Sequence, residues 1–189
     1  MRYASVNPGN RNEVRPELVR AAWRSECAVW IAIAAMLGIV TAAWFVPSLT
    51  DTYLGARLGH SAINAPLSLE ARVALWLASL APAIVLTYGL VQLAGFFRRV
   101  RVGNAFTLPG AAAIVRLGWS LLLAALVVPV ARTLVVAGVA RIEAGSQMAA
   151  HLAPGPVVLT LAVLGVAMLA FGMVLREAAA LAEENASFL

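Results

Sequence analysis

Long apolar runs alternate along this chain with short polar stretches. Crossing a bilayer core about 30 Å thick takes roughly 20 helical residues, and four runs reach that length. Residues 27–46, "CAVWIAIAAMLGIVTAAWFV", carry no charge, and neither do residues 157–175. Residues 73–97 are interrupted only by Pro82 and a few mild polar side chains, while residues 113–137 hold Arg116 and Arg132. This pattern predicts an all-α integral membrane protein, a single membrane domain of four transmembrane helices over residues 1–189. The connections are an N-tail over 1–26, outer loops over 47–72 and 138–156, a cytoplasmic loop over 98–112 and an acidic helix over 176–189. The first run follows 26 residues and is of span length, so it is expected to be a retained span, not a cleaved leader with an apolar core of about 7–15 residues.

Composition agrees with this pattern. Apolar residues make up 62% and charged residues 12%, and the mean hydropathy is +0.87. Soluble domains are typically about 45–50% apolar and about 25% charged. The net charge is +5 and every cation is an arginine. These arginines flank spans and form no basic domain of their own, so direct nucleic-acid binding is not expected.

The arginines also predict orientation. Arg2, Arg11, Arg15, Arg20, Arg24, Arg98, Arg99, Arg101, Arg116 and Arg176 fall on one side of the four spans. Arg57, Arg72 and Arg141 fall on the other. Positive charge accumulates at cytoplasmic span ends. Both termini and the loop "FFRRVRVGNAFTLPG" are therefore expected in the cytoplasm, with the protein multi-pass in a bacterial inner membrane and the lipid bilayer as its first partner.

Candidate chemistry is sparse. Arg132 is the intramembrane functional candidate, because a charge within a span is costly and often functional. It lies sixteen residues beyond Arg116, about 24 Å along a helix, near the outer interface, where snorkelling to water is the plainer expectation. No acid lies inside any span to serve a proton relay. His60 and His151 are the only histidines, and no zinc, phosphate-loop, dinucleotide or nucleophile-elbow motif is present,. The chain is accordingly expected to be no enzyme and to hold no cofactor and no metal. The lone Cys27 is expected to pack as a small apolar residue,. Ala34, Gly38 and Ala42 form a small-residue ladder that lets helix backbones approach,. Packing within the bundle is its expected use, contact in a homo-oligomer the other.

The cytoplasmic face is richer. "NEVRPELVRAAWRSE" predicts a short amphipathic helix on the inner leaflet, with Pro16 in its first turn and Glu17 at its positive end,. Gly103-Asn104 predicts a turn, Thr107 an N-cap with Pro109 in the following turn, and Phe106 a staple or an anchor in the headgroup region,. The last span is expected to continue as a helix carrying Glu177, Glu183 and Glu184 into water.

Two stretches resemble a bacterial four-helix membrane family, domain of unknown function twenty-nine seventy-five. One is Gly103, Phe106-Thr107, Arg116 and Gly118 between spans two and three; the other is "LAEEN", Leu181 to Asn185. Members often follow that acidic triplet with Asp-Leu-Thr, where this chain has "ASFL". The resemblance implies four membrane helices and no assigned activity. Because genes of that family often neighbour one for a small helix-turn-helix regulator, it also implies a cytoplasmic DNA-binding partner. The leading expectation is a non-enzymatic membrane protein whose cytoplasmic face binds such a regulator through Arg98, Arg99, Arg101, Phe106, Glu183 and Glu184. The alternative is a small oligomeric transport or pore-forming subunit using Arg132.

Overall fold

The computed structural model describes residues 16–46, 48–50, 68–104, 106–142 and 155–187. Among these there is no strand. Four long helices follow in chain order: α1 (Pro16–Phe45), α2 (Leu69–Arg101), α3 (Leu108–Ile142) and α4 (Pro156–Ser187). Each is long and apolar enough to cross a membrane. His60 and His151 lie outside the described residues.

The helices overrun the apolar stretches that predict them. α1 has 30 residues and α2 has 33, about 45 and 50 Å at 1.5 Å per residue. Helix formers continue past the apolar edge, and hydrophobicity alone does not mark where a helix stops. In particular, α1 runs unbroken from Pro16 through the first span. The stretch expected as a short helix entering the first span on the inner leaflet is therefore part of one helix with that span. No glycine or proline interrupts Glu17 to Leu37.

Local chemistry sets the ends. Ser68 caps α2 by accepting from the backbone N–H of Ala71 (3.3 Å),. α2 closes in a Schellman turn: Asn104 N–H donates to the Arg99 carbonyl (2.9 Å) and Gly103 N–H to the Val100 carbonyl (3.1 Å),. Gly103 sits at φ 80°, the left-handed conformation that residue C′ of this motif requires and glycine adopts freely. Ala111 N–H then bonds the Thr107 carbonyl (3.0 Å), which puts Thr107 at the start of α3. Its hydroxyl, however, donates backward to the Asn104 carbonyl (2.9 Å), bracing the turn.

Packing follows chain order. α1 packs on α2, α2 on α3 and α3 on α4, and no other pair makes more than a marginal contact among the described residues. The α3–α4 seam is the tightest. A Cβ added at Gly118 would lie 2.9 Å from the Leu169 backbone nitrogen and 3.0 Å from the Gly165 carbonyl oxygen. One at Gly172 would lie 3.0 Å from the Val115 nitrogen. Backbone meets backbone along this line, as small residues permit in membranes. On α2, a Cβ at Gly89 would collide with the Ser120 hydroxyl of α3.

The α1–α2 seam is held differently. Trp44 is fully buried, and its indole N–H donates to Ser79 Oγ (3.1 Å). Trp76 returns the arrangement from α2, donating to Thr41 Oγ1 (3.4 Å). Each hydroxyl in turn donates to a carbonyl of its own helix, Ser79 to Leu75 and Thr41 to Leu37, both at 2.9 Å. Each of these buried or part-buried polar groups is thereby satisfied, which matters where no water can substitute,.

The Ala34–Gly38–Ala42 ladder serves none of these seams. Ala34 and Gly38 are exposed, and a Cβ on Gly38 meets nothing within 4 Å. The expectation that it packs inside the molecule is corrected: the glycines that do so are Gly89, Gly118, Gly138, Gly165 and Gly172. Large apolar side chains cover the remaining surface; only 11% of the most apolar window of α4 is buried inside the molecule. Contiguous apolar surface of that size suits hydrocarbon and not water.

Candidate functional site: the arginine-rich end and the cleft

The packing order brings the N-terminal end of α1, the α2–α3 turn and the C-terminal end of α4 to one end of the molecule. An ion pair joins two of these helices there. Arg101 Nη1 lies 2.7 Å from Glu26 Oε2, joining the last turn of α2 to α1. The two side chains are 37% and 18% exposed, so solvent screens the pair and its worth is about 1 kcal/mol or less. Ten residues of α1 precede Glu26, so about 15 Å of helix projects past this level. α4 also runs on: Leu175 packs with Ala111 near the start of α3, Ala179 is still buried, and eight residues follow it to Ser187. The two overhangs flank the α2–α3 turn, one against α2 and one against α3.

The expected partner-binding residues divide within this frame. Arg98 is exposed, Arg99 is half-buried with its side chain lying back along Gly95, and Arg101 is committed to Glu26. Phe106 is 72% exposed, so it makes no staple and stands out at the tip of the turn. Glu183 and Glu184 are exposed on the α4 overhang. Glu183 pairs with none of the three arginines among the described residues. Glu26 is a residue the sequence pattern did not single out, because its partner lies 75 positions away. Exposed Leu18 and Trp23 on the α1 overhang add apolar surface to this end.

The family can now be stated. The model for "Protein of unknown function (DUF2975)" matches residues 60–187. The chain belongs to the DUF2975 family. No curated protein and no solved structure matches it. Two of the DUF2975-like residues noted in the sequence acquire physical reasons: Gly103 supplies the left-handed turn, and Gly118 is where α3 meets α4.

The opposite half of the molecule holds a second feature. A cleft of about 340 Å³ opens between α1 and α4, floored by α2 and α3. Met36 and Val40 line it from α1, Leu86 from α2, Val128 from α3 and Leu161 from α4. Arg132 is exposed and lines it too. Arg132 shares its level with Trp44 and Ser79, beside the edge-to-face pair of Phe45 and Trp76. Aromatic rings of this kind mark the headgroup level of a bilayer. Among the described residues Arg132 has no hydrogen-bond or ion-pair partner. No group of three or more potential metal ligands occurs among the described residues.

Proposed function

We propose that this DUF2975 protein is a non-enzymatic, multi-pass protein of the bacterial inner membrane, with both termini and the arginine-rich end in the cytoplasm. That end serves as a docking face for a small helix-turn-helix regulator. The observation that carries the reading is the exposure of Phe106 on the α2–α3 turn and of Arg98 in the last helical turn of α2. The Schellman hydrogen bonds and the Glu26–Arg101 pair hold the turn in place, and the overhangs of α1 and α4 frame it. Aromatic and arginine side chains are both enriched at protein–protein interfaces. Hydrogen bonds that hold the start of the turn also lower the ordering cost of association,. The acidic residues Glu183 and Glu184 suit a basic DNA-binding domain, and tethering it there would hold it off DNA.

Co-purification from the native membrane tests this, comparing wild type with the triple variant Arg98→Ala, Phe106→Ala, Glu183→Gln, and with topology mapped in parallel. Arg101 is left intact because it serves the fold. Loss of a DNA-binding protein from the variant with topology unchanged supports the reading. Equal recovery of the same partners from both samples contradicts it.

The alternative, a small oligomeric transport or pore-forming subunit, draws on Arg132 and its cleft. The cleft lining ends near Met36 and Leu86, short of the Val29–Ile33–Ala94 cluster nearer the arginine-rich end. A pathway through one chain is therefore disfavoured, and such a subunit would need several copies. Liposome flux by wild type and not by Arg132→Ala would favour it.

A further inference from the structure

We propose that the cleft between α1 and α4 binds one anionic phospholipid from the leaflet opposite the arginine-rich end, its phosphate on Arg132 and part of an acyl chain along Met36, Val40, Leu86 and Leu161. The cleft is shaped like such a molecule. Its polar groups cluster at one end, where Arg132 lies level with Trp44 and Ser79, and its lining is apolar from there inward. From Trp44 to Met36 the α1 wall is eight residues long, about 12 Å, and descends from the aromatic level toward the middle of the span. The opening faces the medium that surrounds α1 and α4, which for membrane-spanning helices is lipid.

Charge decides between the occupants. Arg132 lacks a partner among the described residues. A second copy of the chain would bring another apolar helix face, and no span of this protein carries an aspartate or glutamate. Seating a copy here would bury the guanidinium without a counter-charge, which is strongly unfavourable. A phosphodiester supplies the charge and matches the planar fork of arginine in a bidentate arrangement. A zwitterionic lipid supplies the phosphate together with a compensating cation, so discrimination by net charge is expected. This inference is independent of the regulator-docking reading and involves the other half of the molecule.

Native mass spectrometry of the delipidated full-length protein in mild detergent tests the proposal, titrating phosphatidylglycerol, phosphatidylcholine and inorganic phosphate. Wild type is expected to retain one phosphatidylglycerol per chain in preference to phosphatidylcholine. Arg132→Gln is expected to lower phosphatidylglycerol retention about tenfold or more, the scale of a lost charge-assisted hydrogen bond, with phosphatidylcholine unchanged. Arg132→Lys should keep the preference for phosphatidylglycerol over phosphatidylcholine, which net charge sets, but retain less lipid than wild type because the bidentate fork is lost. Leu161→Trp fills the cleft and should lower retention of both lipids, and Val40→Phe replaces it if that variant does not fold. Three results would overturn the proposal: equal retention of phosphatidylglycerol by wild type and Arg132→Gln, displacement of the lipid by inorganic phosphate alone, or a stable dimer that excludes lipid.

Discussion

The two sides of α4 solve opposite problems. Toward α3 it presents Gly165 and Gly172, and the facing helix answers with Gly118. The helices touch backbone to backbone and leave no room between them. Toward α1 it presents Val157 and Leu161, and α1 turns its own small-residue ladder elsewhere, so the two helices stay apart and a cleft remains. In hydrocarbon no general hydrophobic force presses helices together. A seam forms where small residues let backbones approach, hydroxyls meet indoles or apolar side chains interlock, as in the Val29–Ile33–Ala94 cluster of α1 and α2, and stays open where none of these occurs. The fold is therefore a file of four helices sealed pairwise in chain order.

This contrast can be broken from its tight side first. Gly118→Leu places side-chain atoms where the Leu169 backbone nitrogen stands 2.9 Å from a Cβ position. A rigid backbone cannot give way as a side chain can, so a loss of at least about 1–3 kcal/mol is expected, read as a lowered melting temperature in detergent. An unchanged melt would show that the α3–α4 seam is looser than described. Trp44→Phe comes next. It keeps most of the buried ring but removes the N–H to Ser79, and interhelical hydrogen bonds in membranes average about 0.6 kcal/mol. Arg101→Gln should cost a similar amount or less, given the exposure of its pair with Glu26,, and that loss should shrink with added salt. Gly38→Leu should cost almost nothing in the monomer, because a Cβ there meets nothing within 4 Å. A large loss of thermal stability for Gly38→Leu would place the α1 ladder inside a contact after all.

Several of these features can be read from the sequence, and the reason differs for each. The four apolar runs locate the helices because span length and hydrophobicity are local properties. Gly103-Asn104 announces its turn because a helix stop needs a left-handed residue, and glycine is the cheapest one. Seam glycines are harder to assign: Ala34, Gly38 and Ala42 carry the same spacing signal as a true contact, yet nothing along α1 says which face meets a neighbour. Gly118, Gly165 and Gly172 act only because two helices bring them together, and Gly165 lies 47 positions from Gly118. Glu26 is invisible for the same reason, being defined by an arginine 75 positions away. Thr107 occupies its expected position, but the direction of its hydroxyl depends on how the preceding turn folds back. Arg132 stands out as a charge within an apolar run, whereas the cleft it lines arises from the failure of α1 and α4 to meet.

The central functional claim is that the arginine-rich end faces the cytoplasm and docks a soluble regulator. Photo-cross-linking in living cells from a probe at position 106 tests it most directly, with a probe at lipid-facing Leu159 as control. The account predicts a covalent adduct with a small helix-turn-helix protein from position 106 and none from position 159. Adducts from position 106 only to lipid, to another copy of the chain or to components outside the cytoplasm would contradict it.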